Sequence, residues 1–433
     1  MYWRGGCLGK NCLKAVPLDR RAFLELLLGA AALGSKSSVR PEECLTALTN
    51  DEEAGSVLGA YGRWAARLAE DPPRLSLRRL APVDLRAWQV QARARVQALL
   101  AAPEIGLDRS LKVQARLVYR DVVVEDLVWQ LPFGPPTRAY LLRPVDAPRP
   151  LPGVLAFHDH GGDKFFGREK IVDPGARHPL MVAHQEKHYE GQAWANELAR
   201  RGYVVLVPDV FPFGSRRIRL EAVPERVRRG LPPEDPKTEV EIRAYNEWAA
   251  WHEHMVARSL LAAGTTWPGV LLAELRYALD VLCSLPEVDP ERIGCGGFSG
   301  GGWQTVLLAG MDNRIRCAVV SCMMTTWRDL VVNRSYTHTW MLYVPLLARE
   351  LDYPELLGLR VPAPTLVQCG TQDPLFTLAE MQRAVDQLQE VYRCVSAEAQ
   401  LQCSFYDSGH CFGRAMQTEA FSWFDQCRSY AVE

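Results

Sequence analysis

The hydrophobic pattern changes period along this chain. In residues 55–105, Leu58, Tyr61, Trp64, Ala65 and Leu68 recur at three-to-four spacing, and "EDPPRL" breaks the segment at Pro72 and Pro73 before a second helical stretch, Leu85–Leu100. From about Leu111 the texture becomes strand-like, in "LKVQARLVYRDVVVEDLVWQLP" and "TRAYLLRPV". Short apolar runs follow: "GVLAFHDH", "YVVLVPDV", "RIGCGGFS", "RCAVVSCMM", "APTLVQCG" and "LQCSFYDSG". Helical patterns separate them at Gly191–Arg201, Ile242–Leu261, Val270–Cys283, Gly302–Gly310, Thr377–Cys394 and Gln417–Arg428. In Val270–Cys283, Leu271, Leu275, Leu279 and Leu282 line one face, and Pro268 stands where a helix can begin. Near-continuous apolar strands alternating with helices predict an α/β fold, a mostly parallel sheet covered on both faces. The expected division is a leader and linker over 1–50, an N-terminal helical extension over 51–110 and the α/β domain over 111–433.

Composition narrows the partners. A formal net charge of −1 over 433 residues gives no global attraction to nucleic acid or anionic membrane. The basic stretch "SRRIRLEAVPERVRRG" is followed by the acidic "EDPKTEVE", which reads as a self-compensated surface loop. Twelve cysteines match no paired CxxC spacing. Cys295, Cys317, Cys322, Cys369 and Cys403 sit in apolar runs and read as small buried hydrophobes. Arg20 and Arg21 precede the modest apolar stretch Ala22–Leu33, as in a twin-arginine export signal over 1–34. No apolar run is long and uncharged enough for a stable membrane span.

The chemistry concentrates in "ERIGCGGFSGGGWQTVLLAG", Glu291 to Gly310, where six glycines surround Ser299. A dinucleotide-binding G-x-G-x-x-G fails because Ser299 takes a glycine position in either register, and a phosphate-binding P-loop fails for lack of lysine. "GFSGG", Gly297 to Gly301, is G-x-S-x-G between a predicted strand and a predicted helix. At so sharp a turn the residues two before and two after the serine must lack side chains. The turn lifts the hydroxyl to the carboxyl end of the sheet and points the Gly300 amide at a developing oxyanion.

A nucleophilic serine needs a base and an acid, downstream in the order acid then base. His338 and His410 follow Ser299; His410, in the loop of "FYDSGHCFG" beyond the last apolar strand, fits that order. Asp373 in "TLVQCGTQDPLF" lies just past the penultimate strand and is favoured as the acid over Asp407 and Asp329. A second oxyanion amide is expected from "HDHGGDKFFG": Gly162 first, then Gly161, with His160 buttressing the loop. Metal chemistry is the weaker reading. "HQEKH", His184 to His188, has Gln185 where a zincin has glutamate, and no carboxylate set completes a site with His158 and His160.

On "HDHGG", "PDVFPFG", "PEVDPERIGCGGFSGGG", "GTQDPLF" and "SGH", the chain resembles the α/β-hydrolase superfamily, especially its dienelactone-hydrolase-like and acetyl-xylan-esterase-like branch. The resemblance covers about Leu111 to Arg428. It implies a mostly parallel twisted sheet of about eight strands, no cofactor, and Ser299, Asp373 and His410 as nucleophile, acid and base. Dienelactone hydrolases proper use cysteine where this chain has Ser299, which favours ordinary carboxylic esters. The expected partner is a small-molecule or carbohydrate ester, with a peptidase or a non-catalytic binding module on the same fold as alternatives.

Overall fold

The computed structural model describes residues 55–106, 110–146, 148 and 150–428. The leader, linker and twin-arginine-type segment expected over 1–50 lie outside these residues. Among the described residues one sheet contains nine strands rather than about eight. They are β1 (Lys112–Tyr119), β2 (Val122–Trp129), β3 (Thr137–Pro144), β4 (Leu151–Phe157), β5 (Val204–Pro208), β6 (Val288–Phe298), β7 (Ile315–Ser321), β8 (Thr365–Gly370) and β9 (Leu401–Tyr406). β1 to β3 come from the two strand-like stretches of the sequence and β4 to β9 from its six apolar runs. The spatial order is β1-β2-β3-β5-β4-β6-β7-β8-β9. The pairs from β1 to β5 are antiparallel, and those from β5 through β4 to β9 are parallel. Buried on both faces, β4, β5 and β8 have every residue in the core.

The main helices are α1 (Leu85–Leu100), α2 (Pro179–Tyr189), α3 (Trp194–Arg200), α4 (Glu239–Ala262), α5 (Trp267–Ser284), α6 (Gly300–Met311), α7 (Leu378–Arg393) and α8 (Arg414–Cys427). In α5 the Thr266 side chain caps the Gly269 amide and a proline opens the first turn, while Leu271, Leu275, Leu279 and Leu282 are fully buried. Each such leucine contributes about 1.5–3 kcal/mol by leaving water. None of the helices among the described residues is long and apolar enough to cross a membrane.

The chain around residues 55–70 departs from the continuous helix that the three-to-four spacing predicts. Only Gly62–Ala66 is α-helical, after a 3₁₀ turn at Gly59–Tyr61, and Leu58, Tyr61, Trp64 and Leu68 are 46, 72, 59 and 44% exposed. One turn of helix is too short to align these positions into a face. In α1 the same periodicity does make a face: Trp88, Ala92, Val96 and Leu100 are buried at strict four-residue spacing. Arg93 of α1 donates to the carbonyls of Gly310 and Leu359, and Thr266 donates to the Leu100 carbonyl. The extension therefore rests on the carboxyl end of α6, about 18 Å of helix away from the Ser299 end.

Candidate active site

Strand order builds the site. The chain runs from β4 to β5 on one side, then to β6 on the other side of β4. The carboxyl ends of neighbouring parallel strands β4 and β6 therefore open onto one crevice, the place where ligands enter sheets of this kind. Phe157 at the end of β4 pairs with Gly297 near the end of β6, so the loop 158–163 and the turn at Ser299 meet.

Ser299 caps α6 with φ 56° and ψ −119°. For a residue with a Cβ this conformation costs about 1–3 kcal/mol. The glycines around it are demanded by close approach. A Cβ on Gly297 would stand 2.5 Å from the Gly301 carbonyl carbon, one on Gly301 2.3 Å from the Phe157 carbonyl oxygen, and one on Gly300 2.8 Å from the His160 amide nitrogen.

Ser299 Oγ lies 2.8 Å from His410 Nε2, and His410 Nδ1 lies 2.6 Å from Asp373 Oδ2. The Asp373 carboxylate is buried, and its other oxygen accepts the Leu375 amide at 2.9 Å. A carboxylate can only accept, so Nδ1 carries the imidazole proton and Nε2 faces the serine hydroxyl as an acceptor. Phe298 packs on the imidazole with ring centroids 4.7 Å apart. The other candidates stand apart from this chain of bonds. Asp329 accepts from Thr325, Asn333 and both the amide and hydroxyl of Thr377, which commits it to holding that junction. Asp407 accepts from Gln372, and His338 Nδ1 lies 2.7 Å from Thr337 Oγ1. Burial lowers the His338 imidazole to about 4.

The loop after β4 differs from its sequence reading. Gly161 and Gly162 are both left-handed, at φ 55° and 71°. That turns the Gly162 amide back onto His160, where it donates to Nδ1 at 3.0 Å instead of facing the serine. The His160 amide is the one beside Gly300. Asp159 is buried; its Oδ1 accepts from His184 Nε2 at 3.0 Å and from the Tyr189 hydroxyl. Burial pushes the Asp159 carboxyl up, but nearby His184 and Lys170 and these hydrogen bonds hold it well below the usual range. The partners sit on α2, a helix the sequence reading passed over; its signals are Pro179 in the first turn and His178, whose ring caps the Leu180 amide. His158 is buried with Nδ1 on the Asp159 carbonyl, and burial lowers it to about 4.

Neither histidine motif collects metal ligands. The single described group of three ligand-type residues close enough to share an ion is Cys322, Asp373 and His410. Both ring nitrogens of that histidine are already committed, one to Asp373 and one to Ser299.

This architecture matches known proteins. A Bacteroides fragilis NCTC 9343 protein provisionally described as an acetyl xylan esterase superposes with a TM-score of 0.60 at 17% identity, over 82% of this chain and 84% of its own. A glucuronoyl esterase from Solibacter usitatus gives 0.54 at 12% identity, over 80% and 95%. The chain has the α/β-hydrolase fold. Within this hydrolase fold, residues 262–431 match the prolyl oligopeptidase family, a span that contains Ser299, Asp373 and His410. In sequence the chain is 26% identical over 284 residues to a Bacillus subtilis (strain 168) protein provisionally named hydrolase YtaP, covering 65% of this chain and 80% of the relative.

Proposed function

We propose that the protein is a serine hydrolase of carboxylic esters, working by acyl transfer through Ser299, His410 and Asp373. The observation that carries this reading is the continuous hydrogen-bonded path from Ser299 Oγ through both imidazole nitrogens to a buried carboxylate. Ser299 Oγ attacks the ester carbonyl while Nε2 of His410 takes its proton, and Asp373 stabilises the imidazolium that forms. The alcohol leaves with that proton, and water repeats the sequence on the acyl-enzyme. The oxyanion is held by the amides of Gly300 and His160, the latter replacing Gly162 in this role. The esterase neighbours favour esters carried on carbohydrates, acetyl esters among them.

The test is p-nitrophenyl acetate turnover by the wild type beside Ser299→Ala, with folding checked in both. Turnover falls by about a thousandfold or more in the variant; equal rates sink the assignment. The prolyl oligopeptidase match motivates a second arm with proline-containing peptide p-nitroanilides, whose turnover by the same serine would move the reading to a peptidase.

A further inference from the structure

Behind the loop that carries the His160 amide lies a lysine that the proposed reaction does not use. Lys170 is completely buried, at the end of a 3₁₀ turn, Arg168–Lys170. Its ammonium donates to three backbone carbonyls: Asp159 at 2.9 Å, His160 at 2.8 Å and Asp163 at 2.7 Å. An ammonium has three protons, so every donor is used, and each acceptor belongs to one short loop. The Phe213 ring closes the site from another side, 4.9 Å from the ammonium and 5.2 Å from the rings of both His158 and His160. The successive left-handed glycines Gly161 and Gly162 allow the chain to curl around one point.

Peptide geometry turns this staple into a statement about the site. The bonds joining residues 159, 160 and 161 are trans, so each amide N–H points opposite the carbonyl of the same peptide unit. With the Asp159 and His160 carbonyls drawn onto Lys170, the N–H groups of His160 and Gly161 face away from it. Neither amide has an acceptor among the described residues, and the first stands against Gly300. Hydrogen bonding at the carbonyl also polarises the peptide and strengthens its N–H as a donor.

We propose that Lys170 is the positioning residue of the oxyanion hole: its ammonium holds the loop carbonyls so that the His160 amide is presented to the oxyanion formed at Ser299. The inference rests on the serine-hydrolase reading, and the experiment separates the two. Wild type, Lys170→Met and Lys170→Arg are labelled to endpoint with a fluorophosphonate, which counts intact serine sites. Steady-state turnover of p-nitrophenyl acetate and competitive inhibition by phenylboronic acid, a tetrahedral-adduct former, are then measured per labelled site. Lys170→Met lowers kcat by about a hundredfold with KM changed little, and weakens phenylboronic acid by a similar factor. Lys170→Arg keeps the charge, but a planar guanidinium cannot converge on three carbonyls, and it loses about tenfold. A labelled Lys170→Met enzyme with kcat within about twofold of wild type overturns the proposal, as does a loss of kcat with boronic acid affinity intact. Variants that keep the wild-type circular dichroism but do not label support it, because phosphonylation draws on the same amides, and variants that lose that spectrum overturn it, since the lysine is then needed for folding. A wild type that does not label overturns the serine reading and this proposal with it.

Discussion

Two turns meet over the crevice between β4 and β6, and they are held in opposite ways. The turn at Ser299 is fixed by what is missing: glycines at 297, 300 and 301 let three backbone segments touch where any Cβ would collide. The loop at 158–163 is fixed by what is added from elsewhere. A buried ammonium gathers its carbonyls, and Asp159 within it is anchored to His184 and Tyr189 on α2. The first turn is a steric device written into five consecutive residues. The second is an electrostatic device assembled across about thirty residues, and the cost of burying its charges is offset by the hydrogen bonds they make.

The comparison breaks most sharply at Gly301. Gly301→Ala drives a Cβ into the Phe157 carbonyl and should cost about 3 kcal/mol of stability, read by urea unfolding. The displaced serine should lose about a hundredfold or more in kcat for p-nitrophenyl acetate. A fully active Gly301→Ala enzyme would show that β4 yields, and the steric account would fail.

A smaller effect belongs to the electrostatic turn. Asp159→Asn keeps an oxygen for His184 and Tyr189 but removes the charge; kcat should drop about tenfold and stability about 2 kcal/mol. The pH dependence has a definite sign. The folded carboxyl lies well below its ordinary value of 3.8, so its stabilisation is complete above that value and is lost as pH falls further. Unfolding curves across an acid series should therefore flatten in the variant below about pH 4 and keep the wild-type shape near neutrality. Identical acid limbs in both proteins would remove Asp159 from the account.

The smallest change is expected at Gly162. No atom stands within 4 Å of an added Cβ, so Gly162→Ala meets only the left-handed backbone, a cost of about 1 kcal/mol. With its amide spent on the His160 ring, kcat should stay within about threefold. A loss near a hundredfold would return the oxyanion role to Gly162.

Much of the sheet is legible in the chain because burial on both faces leaves unbroken apolar runs at β4, β5 and β8, whereas the exposed β1 shows only as part of a strand-like stretch. The N-terminal stripe misleads for the converse reason: the spacing of Leu58, Tyr61, Trp64 and Leu68 resembles that of α1, yet no helix long enough forms to make a face. Ser299, Asp373 and His410 could be singled out because each follows an apolar strand and their order along the chain is itself a constraint. The sheet then brings them within hydrogen-bond reach, since β6, β7, β8 and β9 are successive neighbours.

By itself the sequence determined the alternation of strands and helices, the glycine-lined turn at Ser299, and the acid and base candidates that could serve it. These are carried by side-chain pattern and local sterics, which act between residues close in the chain. Only the tertiary structure decided which amide of the 158–163 loop stands beside that turn, that α2 supplies the partners of Asp159, and that Lys170 closes the loop from behind. A backbone N–H has no side-chain signature, and the direction it points is set by where its peptide carbonyl finds a donor.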